Sequence, residues 1–164
     1  MPHRRGLLLL VLLAGWAWIS AGRVVVWQSE SSLWADAVAT DPLAPLAWLN
    51  VGYARSQAGA VAEAEAAYRR AAELATRDPR WDRVVRTMAE TNLGAVLART
   101  GRPLEALRLW NGVLHRYPGY ALARFNRAMV YASAGRCDLA RRDFRIAAVI
   151  DASYWPSVNP CPEP

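Results

Sequence analysis

Self-similarity at a spacing of 34 residues constrains this chain more than any other feature. Units opened at Pro45, Thr87 and Ala121 place the same residue types in the same columns. Thr87 and Ala121 lie 34 residues apart, and the first unit precedes them by one period plus the eight residues 79–86. Position 6 holds Asn50, Asn92 and Asn126; position 8 holds Gly52, Gly94 and Ala128; position 15 holds Gly59, Gly101 and Gly135. Alanines 64, 106 and 140 share position 20, and Tyr68, Trp110 and Phe144 share position 24. Small residues at 8 and 20 let two antiparallel helices approach closely, with the aromatic filling the space beside them. A glycine at 15 suits the left-handed residue that ends a helix. Each unit is therefore expected to be a helical hairpin that buries its faces only by stacking on neighbours.

These columns resemble the tetratricopeptide repeat (TPR) family. The matching residues are Trp48-Leu49-Asn50-Val51-Gly52, Ala64, Tyr68 and Ala71 in the first unit. In the second they are Leu93-Gly94, Ala106, Trp110 and Pro118, and in the third Ala128, Tyr131, Ala140, Phe144 and Ala147. The resemblance implies an all-α fold, a TPR-type α-solenoid of helical hairpins following an N-terminal transmembrane or signal helix. Repeats are expected at 45–78, 87–120 and 121–154, with 79–86 inserted ahead of the second and lengthening its first helix by about two turns. Residues 28–44 read as a half repeat and 155–164 as a Pro-rich tail. Arg55, Glu90, Arg124 and Arg127 depart from the pattern. They make the third unit the least regular, with a more polar packing seam.

The N-terminus reads differently. Arg4 and Arg5 precede an uncharged run over residues 6–22; Arg23 interrupts it before Val24–Trp27. Seventeen residues of helix span roughly 25 Å, near the lower limit for crossing a bilayer. Residues 1–27 are thus expected to be a membrane anchor or signal segment. The positive flank puts the N-terminus in the cytoplasm and the repeats outside, as a single-pass protein. Ser20-Ala21-Gly22 also fits a signal-cleavage site, which would release the exported repeats as a secreted TPR binding module. The stretch Arg23 to Trp27, Ser32-Leu33-Trp34 and Pro42 resembles the junction of protein O-mannosyltransferase-like membrane glycosyltransferases, where a membrane helix leads into a TPR arm. That resemblance admits an accessory arm of such a system; glycosyl transfer itself is not carried over.

The inventory of reactive groups is thin. Two His and two Cys supply neither a metal set nor a Ser-His-Asp arrangement. No catalytic residue, metal or cofactor is expected. Cys137 and Cys161 can pair, since the ten residues 152–161 span roughly 33 Å when extended; two independent thiols are the alternative. All twenty basic residues are Arg, and net charge is +6. Arg77, Arg80, Arg83 and Arg86 recur every third residue. They read as a solvated face or as a contact for anionic lipid, whereas no base-reading motif points to nucleic acid.

The resemblance implies that the first helices line a concave groove that takes a protein or peptide partner. The groove positions hold Leu46, Leu49, Asn50 and Tyr53 in the first unit, Met88, Asn92 and Arg99 in the second, and Phe125, Asn126 and Met129 in the third. The three asparagines would form a ladder of carboxamides able to bond the backbone of an extended peptide. The apolar members would supply adaptable pockets, and a single cation, Arg99, argues against a strict carboxylate clamp. Asn at position 6 could equally support neighbouring helices.

Overall fold

The computed structural model describes residues 11–20, 24, 29–154 and 161. Seven helices form the solenoid: α1 Glu30–Thr40, α2 Pro45–Gln57, α3 Val61–Ala75, α4 Thr87–Arg99, α5 Pro103–Arg116, α6 Ala121–Ser133 and α7 Cys137–Ile150. They pair as the antiparallel hairpins α2–α3, α4–α5 and α6–α7, so the chain is an all-α solenoid. A short 3₁₀ turn, Ala152–Tyr154, follows α7.

Each hairpin turns on the glycine of position 15. Gly59, Gly101 and Gly135 have φ of 74°, 78° and 70°, and no other residue type has positive φ among the described residues. The amide after each glycine reaches back five residues: Ala60 to the Arg55 carbonyl, Arg102 to Leu97 and Arg136 to Tyr131, at 2.9, 2.9 and 2.8 Å. Each glycine amide bonds a carbonyl three residues earlier. The two bonds together satisfy carbonyls that a helix end leaves free.

Between paired helices the small columns set the separation. A Cβ at Gly52 would sit 2.6 Å from the Tyr68 ring, and one at Gly94 2.5 Å from Trp110 Nε1. The third hairpin places Ala128 beside the smaller Phe144, and all of these residues are buried. The main core joins the first two hairpins through Leu49, Tyr68, Val85, Leu93, Leu97 and Trp110. A second, small core holds Ala128, Ala140, Phe144 and Cys161.

Residues 79–86 extend the start of α4. Asp78 caps Pro79–Trp81 by accepting from the Arg80 amide, and Asp82–Arg86 then runs as a π-helix directly into Thr87. The added turns bury Val85 in the main core.

The membrane assignment is corrected. Residues 11–20 are helical and exposed. Among the described residues no helix is long and apolar enough to cross a membrane. Residues 1–10, 21–23 and 25–28 lie outside the described residues, and with them most of the cleavage and junction readings.

Candidate functional site

The concave face carries a groove of about 490 Å³ between the first helices. Of the groove residues expected from the sequence, Tyr53, Asn92, Arg99, Asn126 and Met129 line it. Polar groups there are tied to one another. Arg99 Nη2 donates to Ser56 Oγ at 2.9 Å, bridging α4 to α2. Gln57 Nε2 donates to the Tyr53 hydroxyl at 3.3 Å. Burial pushes the Tyr68 phenol above its ordinary value, while the Arg99 charge and a hydrogen bond with Asn92 act the other way. No carboxylate is among the lining residues.

The other expected residues sit elsewhere. Leu49 is corrected: it is 3 % exposed and packs in the main core, because its face of α2 turns toward α3. Asn50 donates Nδ2 to the Leu46 carbonyl of its own helix at 2.9 Å. Leu46 lines a separate cleft with Trp34, Leu74 and Trp81, and Met88 lines another beside the Tyr117–Tyr120 loop. Phe125 is covered, its ring 5.7 Å from both Phe144 and Tyr154. The asparagine column therefore does not act as one ladder; its second and third members share the groove.

Among the lining residues outside the expected set, two are aromatic and come from second helices, Tyr68 and Trp110. Their polar edges were the available signal: the indole Nε1 donates to the Thr91 carbonyl at 3.1 Å. Asp143, unremarkable in the sequence, is 3 % exposed. Arg127 grips it with two bonds, at 2.7 and 2.8 Å, and Arg124 approaches at 3.5 Å. This is the polar seam of the third hairpin, and it also explains why two arginines interrupt the apolar pattern.

Most of the arginine stripe is neutralised internally. Arg77 pairs with Glu73, Arg80 with Asp78, and Arg86 with both Asp82 and Glu90. Arg83 instead lies over the Tyr117 ring, 5.8 Å from its centroid. The lipid-facing reading of these residues thus loses the free charge it needs. Cys137 and Cys161 are joined by a disulfide with a Cα–Cα distance of 5.3 Å.

Comparison with known proteins agrees with this geometry. A family model described as tetratricopeptide repeat matches residues 31–79 and 91–154. The crystal structure of MamA superposes with a TM-score of 0.59 at 22% identity, covering 71% of this chain and 63% of MamA; at that identity the likeness is one of fold. A peptidyl-prolyl cis-trans isomerase of Arabidopsis thaliana, PASTICCINO1, is 32% identical over 68 residues. That stretch is 42% of this chain and 11% of the isomerase, so the isomerase name belongs to that protein. The resemblance to membrane glycosyltransferases rests on the junction residues alone. Repeating small and aromatic columns, glycine-terminated hairpins and a family match over most of the chain converge: this protein belongs to the tetratricopeptide repeat family.

Proposed function

We propose that this chain is a protein-interaction scaffold whose concave groove binds an extended peptide segment of a partner protein. A TPR solenoid is suited to protein–protein interaction. The observation that carries the finer reading is the groove's lining: Asn92 and Asn126 on successive first helices, with Tyr53, Arg99 and Met129 around them. Carboxamides offer both donors and an acceptor, which fits peptide backbone without demanding one side chain. Met129, 43 % exposed, adds an adaptable apolar contact.

The test is selection from a random peptide display library followed by fluorescence anisotropy on the winning peptides. Replacing both carboxamides, Asn92→Ala with Asn126→Ala, removes about 2 kcal/mol of hydrogen bonding, or roughly thirtyfold in affinity. Helicity by circular dichroism should be unchanged. Peptides that bind the double variant as tightly as the parent protein would defeat the groove reading.

A further inference from the structure

A second pocket, of about 560 Å³, lies away from the peptide groove, between the π-helical extension of α4 and the loop joining α5 to α6. That volume is within the range of small-molecule sites. Its walls carry Arg83, Thr87 and Met88 on one side and Arg116, Tyr117 and Tyr120 on the other, with no carboxylate among the lining residues. The loop wall is held from behind, since Arg124 donates from Nε and Nη2 to the Pro118 carbonyl at 3.0 and 2.8 Å.

Three observations meet there. Thr91 and Thr100 both spend their hydroxyls on the carbonyl four residues back, at 2.7 and 3.0 Å. Thr87, on the same helix, does not: four residues back lies π-helical Arg83, and Thr87 Oγ1 is buried without a partner. Arg116 Nε is a second buried donor without a partner, although Arg116 Nη2 pairs with Glu90. Arg83 makes no ion pair among the described residues and lies over Tyr117. Beside the pocket Arg86 and Arg116 pair with Asp82 and Glu90, two charges against two, so Arg83 leaves one positive charge in excess. A π-helical turn bordering a cavity is also a frequent mark of a functional site.

We propose that this pocket binds a small aryl oxyanion, an aromatic body carrying a phosphate or carboxylate, with Arg83 meeting the charge and Thr87 and Arg116 donating from the pocket floor. The apolar body would lie against Tyr117, Tyr120 and Met88. Met88 is 40 % exposed, and Tyr120 is half-buried, its phenol pushed above the ordinary value by that burial. The eight inserted residues, 79–86, build the Arg83 wall, so the pocket belongs to this chain's departure from a plain repeat.

Isothermal titration with phenyl phosphate tests this on the full chain, with phenol and inorganic phosphate as controls. Phenyl phosphate should bind saturably, and each control at least about tenfold more weakly, phenol for want of a charge-assisted hydrogen bond and inorganic phosphate for want of a buried aryl ring. Arg83→Gln should weaken phenyl phosphate binding about tenfold. Thr87→Val separates a ligand role from a structural one. It replaces an unbonded buried hydroxyl with a methyl, so the free protein should melt no lower, while binding falls. Absence of saturable binding, equal binding of inorganic phosphate, or binding indifferent to both variants would each overturn the proposal. Asn92→Ala with Asn126→Ala should leave phenyl phosphate binding intact, so failure of the peptide groove and failure of this pocket are distinguishable.

Discussion

Gly94→Ala is the sharpest probe of what holds the hairpins together. Helix propensity alone favours alanine over glycine by about 1 kcal/mol. The structure predicts the opposite sign. A Cβ at position 94 would lie 2.5 Å from Trp110 Nε1 and 2.7 Å from Trp110 Cε2. The indole is 1 % exposed, so it moves only by displacing packed neighbours. Overpacking of this kind costs about 1–3 kcal/mol. Moving the ring also breaks its bond to the Thr91 carbonyl and strands a buried N–H, costing about 1–3 kcal/mol more. After the propensity gain the net loss is about 1–5 kcal/mol, a fall in Tm of at least roughly 2–4 °C for a chain of this size. Thermal unfolding followed by circular dichroism measures it. Adding Trp110→Phe reproduces the Ala128–Phe144 pairing of the third hairpin, so the double variant should lose less than the sum of the singles, with a coupling above about 0.5 kcal/mol. A Gly94→Ala protein that melts at or above the parent would refute the close-approach argument.

Three further outcomes follow from the same structure. Asp143→Ala strands Arg127 in a nearly buried site and should cost about 3–5 kcal/mol; hydrogen exchange should show α6 and α7 opening first, and uniform protection would contradict the seam. Cys161→Ser removes a cross-link across 24 residues and should cost about 3 kcal/mol in urea unfolding; identical midpoints with and without reductant would show that the bond does not constrain the chain. The Arg69 and Arg102 guanidiniums hold the Glu65 carboxyl below its ordinary 4.5. A carboxyl lowered by folding contributes stability above its unfolded pKa and loses it as pH falls through the folded one. Glu65→Gln should therefore narrow its stability deficit against the parent below about pH 4.5, and a constant gap across pH 2–7 would contradict the pairing.

Some features were legible because backbone geometry restricts residue choice locally. Glycine at position 15 marks a left-handed residue, and all three have positive φ. Glycine or alanine at position 8 opposite an aromatic at 24 marks helix contact, since no larger residue fits. Long-range partnerships were not legible. Asp143 sits on an amphipathic helix like any solvated carboxylate until α6 brings Arg127 against it. Leu49 carries a groove register number, yet the turn of α2 directs it inward. Asn50 and Asn92 share a column, but one bonds back to a carbonyl of its own helix and the other meets Tyr68.

The N-terminal segment shows the same division from the other side. Hydropathy registers apolar length in sequence, whereas crossing a bilayer needs that length in one helix, and no described helix has it. Period and column identity, read from sequence alone, determined that this chain stacks helical hairpins, because each position's steric limit repeats with every turn of the solenoid. Which polar groups meet, and so where the groove and the arginine-walled pocket lie, was decided only by the tertiary structure. Those contacts join residues far apart in the chain, such as Arg99 with Ser56 across 43 positions, and no local preference encodes that distance.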